Sequence, residues 1–310
     1  MADTQLKDWR GRNITPKVPT SGGGGGGGGY APSIKILHIG NSYTKDATSY
    51  IVPLLTELLP NVDVTIGILY NAGCSLQKYH EEIFPSDITQ TYEVVKNKAW
   101  QATQANYSVS DAFNDESWDI VTYQQKSGWA DDYQTYQPYL RQNIKTVSDL
   151  LPKNCKNGWF IGNPQYNSSD YGVAKFEGAA SAAQKVLEES ACEFILPCGT
   201  AIQNLRTIPA MRELGGQGGL QDSDHLATGL GMLAEGYVYI LWLAKLLGLP
   251  VGVYNSKYRP VRGDAHTTHG GYVPIGTTDE NCRLAQIAAM HAIKRPFEIT
   301  DMNDEVESSQ

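Results

Sequence analysis

The sequence predicts an α/β protein, a three-layer α/β/α sandwich built on a parallel sheet of about five strands. Three observations predict it. From Ile34 onward, short apolar runs alternate with amphipathic, helix-length stretches. Strands that alternate with helices imply a parallel sheet covered on both faces. Hydrophobic residues make up 41% of the 310, enough for a sizeable core.

Taken in order, the first strand covers 34–39 (Ile34, Ile36, Leu37 and Ile39) and is ended by Gly40. A helix over 48–59 is stopped by Pro60, and a second strand follows over 62–68. The third strand covers 119–123, followed by a helix over 139–151 and a short strand over 159–161. A helix over 174–190, a strand over 193–196 and helices over 229–246 and 281–293 complete the pattern. Open sheets of this kind bind ligands beyond the carboxyl ends of their strands. The loops after the first three strands are therefore where chemistry is expected.

The clearest boundary is a run of eight glycines, residues 22–29. Such a run buries no apolar surface and is expected to act as a tether, reaching roughly 16 Å by random-coil scaling. It separates a leader, residues 1–21, from a domain over 30–310. The leader lacks the apolar core of a secretory signal, so a cytoplasmic or virion-associated location is expected. Its pattern Leu6-Lys7-Asp8, Gly11 and Ile14-Thr15-Pro16 loosely resembles the attachment segments of phage tail and fibre proteins, which implies a possible attachment partner.

Lysine plus arginine total 25 against 33 for aspartate plus glutamate, a net charge of -8. An acidic chain without a basic run is a poor partner for nucleic acid. The most apolar stretch, 230–249, is interrupted by Glu235 and Lys245, so it reads as a buried helix, not a membrane span. A soluble protein is expected. The five cysteines are scattered and form no C-x-x-C pair; they read as mostly buried thiols.

After the first strand comes Gly40-Asn41-Ser42-Tyr43, leading into a helix. A serine on a sharp strand-to-helix turn exposes its hydroxyl beside backbone N–H groups that can stabilise an oxyanion. Read alone, the same residues make an ordinary capped turn. After the second strand Asn71-Ala72-Gly73-Cys74 offers a glycine N–H as a second donor. After the third, Gln124 and Gln125 offer an amide as a third; periodicity does not decide between them. Near the far end stands Asp222-Ser223-Asp224-His225. A carboxylate three residues before a histidine can hold one ring nitrogen and leave the other free to take a serine proton.

The order of these pieces, together with ILHIGNSYT, NAGCSL, DIVTYQQKS, LPCGTAIQNLR and DSDHLATGLG, resembles the SGNH/GDSL hydrolase superfamily over about residues 33–295. Within it the likeness is to an uncharacterised bacterial-type branch. The resemblance implies a flavodoxin-like sandwich and a serine esterase needing no cofactor or metal. Ser42, His225 and Asp222 would form the triad, and Ser42, Gly73 and Gln124 the oxyanion hole. Two departures stand out: Asn41 replaces the usual acidic residue, and the usual glycine-x-asparagine after the third strand is absent. Glutamine takes that amide's role in certain carbohydrate acetylesterases, which tilts the substrate towards an O-acetylated sugar or polysaccharide. A lipid-type esterase or thioesterase, or a surface glycan-binding protein, is the alternative. His80, Gln125 and Trp129 are candidate substrate contacts. His38 reads as a packed core residue. His266 and His269 have a spacing open to metal but no third clustered ligand.

Overall fold

The computed structural model describes residues 31–152, 154–189, 192–214, 225–267 and 276–307. The predicted leader 1–21, the glycine tract 22–29, Asp222, Asp224 and His269 lie outside these residues.

The chain opens with β1 (Ser33–Gly40), α1 (Ser42–Thr48), α2 (Ile51–Leu58) and β2 (Asp63–Tyr70). A helical stretch follows from α3 (Leu76–Lys78) through a π-turn at Tyr79–Ile83 to α4 (Phe84–Ser86). Next come β3 (Gln90–Lys96), β4 (Ala99–Trp100), β5 (Gln104–Tyr107) and α5 (Val109–Asp115). Then β6 (Ile120–Tyr123), α6 (Tyr139–Leu150), β7 (Lys156–Phe160), α7 (Val173–Glu189) and β8 (Cys192–Leu196) alternate. The last elements are α8 (Cys198–Leu205), α9 (Leu230–Leu247), α10 (Asp279–Lys294) and α11 (Asn303–Glu307).

Among the described residues, eight strands form one sheet in the order β4-β3-β2-β1-β6-β7-β8, with β5 also on β3. The expectation of a wholly parallel sheet of about five strands is corrected here, because the sheet is mixed. β2, β1, β6, β7 and β8 pair in parallel, whereas β3, β4 and β5 add an antiparallel extension beyond β2. The extension is built on a two-residue hairpin, Asn97-Lys98, with φ of 53° and 54°. Two positive φ angles match the twist of the flanking strands. The usual glycine of such a turn is missing, so its sequence signal is weak.

β1 lies at the centre, with side chains alternating between two cores. Ile34 and Ile36 join the cluster formed with α1, α2, α8, α9 and α10. Leu37 and Ile39 join the one formed with α5, α6 and α7. α9 is apolar all round because α1, α2, α8 and α10 pack about it. It is the one helix among the described residues long and apolar enough to cross a bilayer, and 78% of that window is buried inside the fold. All five cysteines are free; Cys155 is half-buried and the rest are buried.

The helix expected over 48–59 starts earlier and is broken at Ser49-Tyr50. Pro53 has no N–H with which to bond the Ser49 carbonyl four residues back. That carbonyl instead accepts the N–H of His266 at 3.1 Å. Thr48 Oγ1 and Ser49 Oγ also turn back onto the carbonyls of Thr44 and Lys45, which weakens the helix locally.

Candidate active site

Loops from the carboxyl edge of the parallel strands meet in one cavity of about 170 Å³, lined by Asn41, Ser42, Tyr43, Tyr70, Ala72, Gly73, Ser127 and His225. Three of the residues singled out in the sequence, Ser42, Gly73 and His225, are thus brought together from distant parts of the chain.

Ser42 is the first residue of α1 and is half-exposed. The turn that presents it needs Gly40, because a Cβ there would lie 2.4 Å from Thr44 Oγ1. Asn41 caps the helix, its Oδ1 accepting from Tyr43 N at 3.2 Å. Its Nδ2 donates to the carbonyls of Cys74 at 3.3 Å and Gln125 at 3.4 Å. One amide therefore ties the loops after β1, β2 and β6 together. A carboxylate here would have no proton for either carbonyl, which gives asparagine a physical reason to stand at this position. Gly73 takes φ of 58°, a left-handed conformation that side chains strain to adopt, with open space where a Cβ would stand.

His225 lies at the cavity wall with its ring edge-on to Tyr43, 6.5 Å between centroids. Buried Asp46 accepts the N–H of Leu226 at 3.1 Å, and the Tyr50 hydroxyl accepts that of Gly229 at 2.9 Å. Asp222, expected to orient His225, is outside the described residues.

The two glutamines after β6 part company. Gln125 points to the α6 side, where its Oε1 accepts from Leu76 N and Lys126 N and its Nε2 donates to Thr135. All its bonds are to neighbouring loops, so it braces them. Gln124 points to the α1 side, where its Oε1 accepts from Thr44 Oγ1 at 2.7 Å. Its Nε2 is buried with no partner. The amide expected as third oxyanion donor is thus not on the cavity wall; the pleat of β6 and the bond from Thr44 hold it beneath the serine turn. None of the three expected substrate contacts, His80, Gln125 and Trp129, lines this cavity. His80 sits in the π-turn with its ring 6.0 Å from Tyr139. Trp129 carries the Lys126 ammonium 3.6 Å from its ring centroid, in the same short helix as the cavity residue Ser127. Of the aromatics near this loop, Tyr123 and Tyr136 are core residues.

Tyr70, Tyr43 and Ser127 were not singled out beforehand. Adjacency to Ser42 pointed to Tyr43, and a place in the loop after the third strand pointed to Ser127. Behind Tyr70 lies a charged band. The Lys45 ammonium sits 4.6 Å from the Tyr70 ring centroid and 2.9 Å from Glu93 Oε1. His266 stacks on Trp100 at 3.6 Å, with its Nε2 3.5 Å from Glu93 Oε2. Burial alone would raise the Glu93 carboxyl, but His266 and Lys45 together hold it below its ordinary value. His266 therefore serves this band. Deeper still, Arg206 is pushed down to about 10 by burial, and Glu235 well up by burial with Asp46 adding to it.

These features define an α/β protein with a serine and a histidine in one cavity at the carboxyl edge of its sheet. The chain belongs to the family described as a domain of unknown function, DUF4886, whose model matches residues 35–269. A crystal structure of a DUF4886 family protein from Bacteroides uniformis ATCC 8492 has a similar fold, with a TM-score of 0.70 at 23% identity. The match covers 88% of this chain and 99% of that one. No protein with a curated description matches this chain.

Proposed function

We propose that this chain is a serine esterase of the SGNH/GDSL type that removes small acyl groups, O-acetyl foremost, from a carbohydrate. The observation that carries the reading is the shared cavity of Ser42, Gly73 and His225. Its volume of about 170 Å³ suits a short acyl group better than a long chain. In the reaction Ser42 Oγ attacks the ester carbonyl as His225 takes its proton. The carbonyl oxygen becomes an oxyanion, held by the backbone N–H groups of Ser42 and Gly73. The C–O bond to the sugar then breaks and His225 returns the proton to the departing alkoxide. Water, deprotonated by the same histidine, releases the acyl group and restores Ser42. Asp222 is assigned to the far ring nitrogen of His225 on the sequence spacing alone.

The test is hydrolysis of p-nitrophenyl acetate and octanoate by wild type and Ser42→Ala. Wild type is expected to prefer acetate, and Ser42→Ala to lose at least three orders of magnitude in turnover while staying folded. Equal turnover by the variant refutes the reading. A preference for octanoate replaces it with a lipid-type esterase, and wild-type inactivity on both leaves a glycan-binding protein.

A further inference from the structure

Asp46 stands four residues after Ser42, one turn along α1, and is fully buried at 0% exposure. A buried carboxylate is costly unless hydrogen-bonded, and a charge-assisted bond from a backbone N–H is one of the stronger forms of compensation. Asp46 Oδ2 receives such a bond at 3.1 Å from Leu226, 180 positions away and next to His225. A second tie runs the same way, from Gly229 N–H to the Tyr50 hydroxyl. The segment bearing His225 is thus held by the helix that bears Ser42 and by the turn just after it. Of these two ties, the Asp46 bond is the nearer to the histidine.

We propose that Asp46 is a positioning residue for acyl transfer: its carboxylate holds Leu226 N–H and so keeps His225 in register with Ser42. This rests on the esterase reading above. A base displaced by about 1 Å from its nucleophile costs on the order of 100-fold in rate. Neither Asp46 nor Leu226 lines the cavity, so substrate affinity should be little affected.

The test takes the full chain and measures p-nitrophenyl acetate turnover per titrated Ser42 site for wild type, Asp46→Ala and Asp46→Asn. It also follows hydrogen exchange at the Leu226 amide. Asp46→Ala is expected to lose about 100-fold in turnover per site with KM within about threefold. Asp46→Asn, whose side-chain oxygen can still accept from Leu226, is expected to recover at least about tenfold of that loss. A purely structural role would reduce the number of titratable sites and leave turnover per site unchanged, which overturns the proposal. An Asp46→Asn variant as slow as Asp46→Ala overturns it too. If Asp46→Ala does not fold, the Leu226 amide decides. Protection in wild type and in an active Asp46→Asn supports the tie; exchange at an open-chain rate in wild type overturns it. Wild type that neither hydrolyses the ester nor takes a fluorophosphonate label on Ser42 removes the esterase reading and this role with it. An active wild type with an undamaged Asp46→Ala removes this role alone.

Discussion

The two faces of the sheet bury different chemistry. On the α1 and α9 face lie the buried ionisable residues His38, Asp46, Glu93, Arg206 and Glu235. Among the described residues, the buried polar side chains on the α6 face include amides and hydroxyls, such as Gln125, Asn143 and Tyr79, bonded to backbone at the ends of strands and helices. The difference teaches that one layer acts as a scaffold for loops, while the other couples the fold to pH and adjoins Ser42. For His38 and Glu235 desolvation drives that coupling, since burial penalises whichever protonation state carries charge.

The sharpest way to break this comparison is acid. His38 is fully buried, its ring nitrogens 2.5 Å from Thr122 Oγ1 and 2.6 Å from the Tyr239 hydroxyl. Burial lowers its pKa from 6.5 to about 3. The unfolded chain takes up this proton below pH 6.5, whereas the fold refuses it until about 3. Its contribution is therefore complete above the unfolded value and declines as pH falls between the two. The expected loss is on the order of 4–5 kcal/mol. Urea melts from pH 7 to 4 should show the decline, and His38→Gln should flatten it. An unchanged slope in the variant would place the acid sensitivity elsewhere.

A middle-sized effect separates the adjacent glutamines. Gln125→Ala removes bonds at both ends of a buried amide and is expected to cost about 2–3 kcal/mol. Gln124→Ala removes one bond and an unpartnered Nε2, so it should cost about 1 kcal/mol or less. Equilibrium denaturation of the two variants checks the order, and a reversal would contradict the assignment of faces.

The smallest effect has the opposite sign with pH. Both Glu235 oxygens are buried without a hydrogen bond, and burial raises its pKa well above 4.5. The contribution of such a group is fully present below the unfolded value and is lost as pH rises. Glu235→Gln should therefore raise Tm by about 3 °C at pH 8, with less gain at pH 5. An equal gain at both values would show that the carboxyl is not titrating.

Much of this was legible in order along the chain. The parallel strands and the longer helices carry their own periodicity, and a serine or glycine after a strand marks a turn without reference to the rest. The antiparallel extension was not legible, because Asn97-Lys98 lacks the glycine that advertises a hairpin. Nor was the break before α2, although Pro53 was there to be read. His38 was expected in the core, yet its bond to Tyr239, 201 positions away, could not be foreseen.

What the sequence by itself determined is the α/β alternation and the places of the turns that follow the parallel strands, since both follow from local pattern. Only the tertiary structure decided which of Gln124 and Gln125 faces α1, why asparagine stands at Asn41, and that Asp46 holds Leu226. Those outcomes depend on where donors and acceptors from loops far apart in sequence come within about 3 Å of each other. Hydrogen bonding is short-ranged and directional, so no one-dimensional pattern records it.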